Sequence, residues 1–213
     1  MKQDAKDTLL ENAIEVFADH GYRDAKIADI VKRAKANIAA VNYHFGSKDQ
    51  LFVAALRRAY KEADEVYPSD GGLGADASSR EKITAIGRAI LRRSFAPGKA
   101  GNFNRIMSKT IHHPSSPVEM IMKEVEQFVL IDLSYALAEY LETDCEQLIS
   151  WAVVVFLSLA TMISKCPAGP KNKMFGAEAS KELNESVIEQ MIECQIVMIF
   201  AALDALPNQF PKS

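Results

Sequence analysis

Cysteine is scarce in this 213-residue chain: Cys145, Cys166 and Cys194 are widely spaced, and no C-x-x-C pair occurs. An odd number at such spacing argues against a disulfide framework and a structural zinc site, and fits a reducing compartment. A long apolar run is lacking too. The most apolar stretch, Ile149 to Ile163, contains Ser150, Ser158 and Thr161. It is one core helix long and too short for an ordinary membrane span. The N-terminus, MKQDAKDTLLENA, is interrupted by charge and has no apolar signal core, so neither export nor membrane insertion is expected. Nucleophile elbow, phosphate loop and metal-spaced cluster are all missing, so neither an enzyme nor a bound cofactor or metal is expected. Strand-like alternation is hard to find.

Helical periodicity is what remains, on a chain that is 48% hydrophobic. The pattern predicts an all-α fold of about nine helices. The first spans about Asp4 to His20, with Leu10, Ile14 and Phe17 on one face and Gly21 as its stop. Short helices follow over about Ile27–Ala34 and Ile38–Phe45. A fourth starts after Ser47, where Ser47-x-x-Gln50 forms a capping box, and runs to about Val66. Pro68 to Ala77, PSDGGLGADA, then reads as a loop. It divides the chain into residues 1–67 and 68–213. Ser78-x-x-Glu81 caps a helix to about Phe95, Pro97 to Gly101 breaks it, and another covers about Asn102 to His112. Ser116-Pro117-Val118-Glu119 opens a helix to about Leu141. Thr143-x-x-Glu146 opens one from about Asp144 to Lys165, and the last runs from about Lys181 to Leu206.

Charge singles out the N-terminal part. Net charge is −3, yet eight basic residues (Lys26, Lys32, Arg33, Lys35, Lys48, Arg57, Arg58, Lys61) face only Asp29 and Asp49 between Lys26 and Lys61. A basic face on an acidic protein is a plausible phosphate footprint, although a solvated helix face reads the same way. Three short helices with a tight second turn form a helix-turn-helix unit, which lays its second arm in the major groove of DNA. Within NIAAVNYHFGSK, Asn37 is a good N-cap. Ile38, Ala39 and Ala40 open the helix with apolar residues, the two alanines allowing close approach. Asn42, Tyr43 and His44 supply polar tips for base edges or phosphates. Val41 and Phe45 lie at i and i+4 and are assigned inward, leaving Ala40, Tyr43 and His44 toward solvent or groove. Lys48 opposes the dipole of the helix it opens, which a bound phosphate would offset.

The ordered set Phe17-x-x-x-Gly21-Tyr22, Ile27-x-x-Ile30, Ala34 and Tyr43-His44-Phe45-x-x-Lys48-x-x-Leu51 resembles the DNA-binding domain of the TetR (tetracycline repressor) family of bacterial transcription regulators. The resemblance covers roughly residues 8 to 56. It implies a ligand-responsive regulator in the bacterial cytoplasm, associated with the nucleoid when bound to DNA. That regulator would be a homodimer and usually a repressor, with double-stranded DNA carrying a palindromic operator and a small-molecule effector as its other partners. An architectural or cell-cycle DNA-binding protein of the same fold, without a small ligand, is the alternative. By position, Asn37 to His44 become the recognition element, and Tyr43, His44 and Lys48 become backbone or base contacts. Two departures stand out. The family usually has Thr or Ser where Ala25 and Lys26 stand; here Asp24 could cap the second helix and Lys26 could touch phosphate. The family often has Gly where Lys35 stands, so Lys35 would adopt a left-handed conformation.

In residues 68–213 the resemblance implies effector binding and dimerisation. Phe95, Phe103, Arg105, Met107, His112, Phe128 and Trp151 are the candidate pocket residues, with plain core as the competing reading of the aromatic and Met positions. The two final long helices are apolar on more than one face and need a second partner. The expected two-fold interface comprises Trp151, Val155, Leu159, Met162, Met191, Gln195, Met198 and Ala202.

Overall fold

The computed structural model describes residues 2–110, 123, 130–162 and 185–209. Among these the chain is all-α: α1 (Lys2–Asp24), α2 (Ile27–Arg33), α3 (Ile38–Phe45), α4 (Lys48–Val66), α5 (Ser79–Phe95), α6 (Lys99–Thr110), α7 (Ile131–Tyr140), α8 (Glu146–Met162) and α9 (Glu185–Ala205), then a 3-10 turn at Leu206–Gln209. The chain forms two compact units. The first holds Met1–Val66 with the segment from Ala96 that carries α6; the second holds Tyr67–Phe95 and the segment from Val129 onward. This division follows a different line from the sequence-based boundary, because α6 packs on α1 and α4. Phe103 and Ile106 turn inward there, with the Phe103 and Tyr60 rings edge to face at 5.2 Å.

In the first unit, Leu9, Ala13, Ile14, Val16 and Phe17 of α1 meet Leu51, Phe52, Ala55, Leu56 and Ala59 of α4, all at most 2% exposed. Phe52 stands edge-on to Phe17 (4.9 Å) and Tyr22 (5.1 Å). The helical run of α1 continues to Asp24, four residues beyond the expected end at His20, with a break at Gly21 (φ 70°, ψ −179°). Two constraints hold glycine there. The φ is left-handed, and a Cβ would come within 3.0 Å of the Lys109 carbonyl oxygen. Lys109 Nζ in turn donates to the carbonyls of Ala18 (2.8 Å) and Asp19 (2.6 Å) at the end of the first segment. An orphaned helix end thereby gains a cationic cap. The Tyr22 N–H donates to Thr110 Oγ1 at 3.3 Å.

In the second unit, Ile83, Ile86, Ile90 and Leu91 of α5 join Leu133, Ala136 and Leu137 of α7, Ala152, Phe156 and Ala160 of α8, and Ile192, Ile196, Ile199 and Leu203 of α9. The Ser78–Glu81 capping box is reciprocal: the Ser78 N–H donates to Glu81 Oε2 (2.8 Å) and the Glu81 N–H to Ser78 Oγ (3.3 Å). The Ser78 hydroxyl, donating to Glu81 Oε2 at 2.6 Å, and then the Ser78 N–H hold the Glu81 carboxyl below its ordinary range. Arg93 is buried, at 2% exposure. Its Nη2 donates to the Tyr67 carbonyl (2.6 Å) and Ser69 Oγ (3.0 Å), fixing the start of the inter-helix loop. Arg88 and Arg92 pair with Glu185, Glu189 and Glu193, fastening α5 to α9. By length and composition Glu185–Asn208 would also suit a membrane span. Here one of its faces is taken up by α5 and α8.

Several boundaries differ from expectation. α6 begins at Lys99 rather than Asn102, and α8 at Glu146 rather than Asp144. Thr143 Oγ1 accepts from the Cys145 N–H (3.2 Å), not from Glu146. Of the helix expected over Pro117 to Leu141, the part from Ile131 is described as α7. Its Ser-Pro start, the loop from Pro167 to Gly176 and Cys166 lie outside the described residues.

Candidate nucleic-acid interface

The first three helices present α3 outward, and local chemistry explains how. α2 ends in a Schellman arrangement: the Ala36 N–H donates to the Val31 carbonyl (2.9 Å) and the Lys35 N–H to that of Lys32 (3.3 Å). This requires a left-handed residue after the cap, and Lys35 supplies it at φ 49°. A non-glycine there carries strain of about 1 kcal/mol. Lys35→Gly is therefore expected to stabilise the chain by up to about 1 kcal/mol, read from the urea midpoint. A loss of stability would remove this account of the turn. The Schellman turn releases the chain to Asn37, whose Oδ1 accepts from the Ala40 N–H at 2.9 Å as the N-cap of α3. Gly46 (φ 79°) ends α3. Ser47 Oγ accepts from the Gln50 N–H (3.2 Å), the observed half of the expected box.

Val41 anchors the short helix at 1% exposure. Phe45 is half-buried, with Lys6 Nζ 5.8 Å from its ring centre. Ile38, Ala39, Asn42 and Tyr43 are exposed, Ile38 at 54% and Tyr43 at 70%. This corrects the expected outward set. Ala40 and His44 are half-buried and flank Val41, while Ile38 and Ala39 take the outer positions. The phase of a two-turn helix is fixed by its buried residue, and Val41 with a partly inward Phe45 rotates Ala40 away from the outer arc.

Around α3, Lys26, Lys32 and Lys35 are exposed. The N-cap position of α2 is Lys26 itself, without a side-chain cap. Asp24, expected to cap, instead pairs with Arg23 at 2.8 Å. Lys48 differs from the other cations. Its Nζ donates to the Arg23 carbonyl (3.3 Å) and lies 4.6 Å from the Tyr22 ring centre. Burial pulls its pKa below the ordinary lysine value, against the attraction of Asp49 and Asp24. The Tyr22 hydroxyl donates to Asp49 Oδ1. Burial, and then this bond, push its pKa up to about 12. Lys48 is thus held beside the outward helix by groups the sequence motif carries, an arrangement that spacing alone did not reveal.

The expected pocket residues fall in both units. Phe95 is half-buried in the second unit, and Trp151 there is 51% exposed. Phe103 and Met107 belong to the first unit, Phe103 as core. Arg105 donates to the Gly98 carbonyl (3.0 Å) and to Asn102 Oδ1. It serves the break before α6, whose carbonyls need donors. His112 and Phe128 lie outside the described residues. The expected interface set divides as well. Trp151, Met162 (48%) and Met198 (43%) are exposed, while Val155, Leu159 and Ala202 are half-buried. Met191 (7%) and Gln195 (2%) are buried within the unit, and Gln195 Nε2 donates to the Leu159 carbonyl. Val154 (51%) and Val197 (67%) take the exposed positions instead.

Residues 9–55 match the model of the bacterial regulatory proteins of the tetR family. The chain is 36% identical over 55 residues to the HTH-type transcriptional repressor NicS of Pseudomonas putida, covering 26% of each chain. It is 33% identical over 78 residues to the HTH-type transcriptional regulator BetI 1 of Chromohalobacter salexigens, covering 37% of this chain and 38% of that one. The chain thus spans roughly a quarter to two fifths of these relatives' length. A TetR-like transcriptional regulator from Rhodococcus sp. RHA1 has the same fold over 94% of this chain and 96% of its own, with TM-score 0.62 at 15% identity. The residues that build α1 to α3 and start α4 are thus similar to the DNA-binding region of the tetR family of bacterial regulatory proteins, and the helical fold shared with a TetR-like regulator extends over nearly the whole chain.

Proposed function

We propose that this protein is a DNA-binding transcriptional regulator, a homodimeric repressor released from a palindromic operator by a small-molecule effector. The observation that carries the reading is the outward face of α3. Four exposed side chains stand on a helix anchored by Val41 and capped by Asn37. Such a helix is available to a major groove, and Lys26, Lys32 and Lys35 offer phosphate contacts around it. The names of the relatives matched over this region, a repressor and a regulator, support the same reading. In it, residues 1–67 read DNA and residues 68–213 bind effector and dimerise. The exposed apolar stripes of α8 and α9 support pairing with a second copy, and two-fold symmetry suits a palindrome. The effector would favour dimers whose α3 helices no longer match successive major grooves. The protein would act in the bacterial cytoplasm.

Lys48 would then exchange its internal partners for a phosphate. Lys48→Ala is expected to weaken binding to every DNA sequence alike and to reduce the slope of log affinity against log salt by about 0.9, one phosphate contact. A change in sequence preference without a change in slope would contradict that role. The reading as a whole is tested by selecting bound duplexes from random DNA and titrating salt. A palindrome and a steep salt dependence are expected. If no sequence is enriched at low salt, the DNA-reader assignment fails.

A further inference from the structure

The outward arc of α3 restricts which bases it can read. At about 100° per residue, Ile38, Asn42, Ala39 and Tyr43 occupy one arc about 140° wide, and all four are exposed. The arc contains no arginine or lysine. The commonest specific guanine contact, a cation on O6 and N7, is therefore not available from it. The basic residue that α3 does contain, His44, is half-buried on the other side, edge-on to Tyr43 at 4.9 Å.

What the arc offers matches a different base pair. Asn42 carries a donor and an acceptor on one amide, the complement of adenine N6 and N7. Ile38 is a large aliphatic side chain left 54% exposed, whereas Val41, three residues on, is 1% exposed. Apolar surface held in water is unfavourable by about 25 cal/mol per Å², and in a major groove the apolar partner is the thymine C5-methyl group. Ala39, in the middle of the arc, adds a second methyl and a close approach. An A·T pair presents the adenine edge and the thymine methyl together. Exposed Lys26 and Lys35 supply the charge complementarity that holds a duplex against this face.

We infer that the chain reads A·T pairs at the core of each half-site, with Asn42 on adenine and Ile38 and Ala39 on thymine methyl groups. This rests on the reading of α3 as the base-reading helix. The test uses the full-length protein and duplexes selected from random DNA, then the same duplexes with deoxyuridine, which lacks the methyl, in place of thymidine. Half-sites with A·T cores are expected. Each core uracil should weaken binding about fourfold, the equivalent of roughly 0.8 kcal/mol for one buried methylene-sized group. Ile38→Ala should bind thymine and uracil alike at the pair Ile38 reads, while discrimination at the Ala39 pair persists, with its melting temperature and salt slope unchanged because Ile38 is exposed and touches no phosphate. Asn42→Ala should lose at least about tenfold on the selected site. G·C cores, or affinity indifferent to uracil, would overturn the inference while leaving the DNA-reader function standing. Failure to enrich any sequence would overturn both.

Discussion

Phe52→Ala should destabilise the first unit by about 3–5 kcal/mol, the usual cost of emptying a buried aromatic site. The side chain is fully buried. Its ring meets Phe17 and Tyr22 edge-on at 4.9 and 5.1 Å, so its removal leaves two aromatic partners facing a void. Set against a total stability of about 5–15 kcal/mol, the loss is a large fraction. The unit's surface ion pairs cannot compensate. Arg33–Asp19 (3.3 Å) and Lys99–Glu11 (3.5 Å) join exposed groups, worth about 0–1 kcal/mol each. The void also undermines Tyr22, which carries both the ring under Lys48 and the bond to Asp49. DNA affinity should therefore fall along with stability. Urea unfolding followed by circular dichroism measures the effect. Fluorescence of Trp151, the one tryptophan, reports on the second unit instead. A loss below about 1 kcal/mol would show that this ring is not central to the core.

Phe17, Gly21, Tyr22 and Leu51 carried the resemblance, and the structure gives them packing and backbone roles. Their spacing was legible because a core position tolerates few residue types and a left-handed φ favours glycine. Lys35 shows the same logic from the other side: the turn geometry persists at φ 49° without glycine. What periodicity could not settle was phase and partnership. α3 has eight residues, too few for the pattern to choose between Ala40 and Ile38 as the outer residue. α6 lies after the long loop in sequence, yet Phe103, Ile106 and Lys109 commit it to α1 and α4. In α8 and α9, apolar residues run around most of the circumference, so hydrophobicity alone does not say which stripe faces inward. Gln195 looked like an interface polar residue. Its bond to the Leu159 carbonyl shows a buried amide satisfied inside the unit.

That phase decides the second large expectation, a charge placed on the proposed dimer face. Val197 is the most exposed large aliphatic of α9, at 67%, with Met198 beside it at 43%. Trp151, Val154 and Met162 leave a matching stripe on α8, following an i, i+3, i+11 pattern along one face. Neighbouring carboxylates do not blunt this stripe: Glu189 and Glu193 are paired with Arg88 on the face toward α5. In a two-fold interface one substitution appears twice, so Val197→Glu would bury two carboxylates against apolar surface or against each other. Leaving a charge buried and unpaired costs about 3–5 kcal/mol. Dimer association should therefore weaken at least a thousandfold, measured by sedimentation equilibrium. The monomer itself should keep its helical circular dichroism, because position 197 is already in water. Binding to a palindromic duplex should fall with it, and the residual complex should show about half the salt slope, since one reading head rather than two then holds phosphates. Met191→Glu provides the contrast. At 7% exposure Met191 belongs to the core of its own unit, so this variant should lose helical structure as well as the dimer. If Val197→Glu remained a dimer of unchanged affinity, the α8 and α9 stripes would not be the contact between two copies, and the pairing of two reading heads would have to come from another surface.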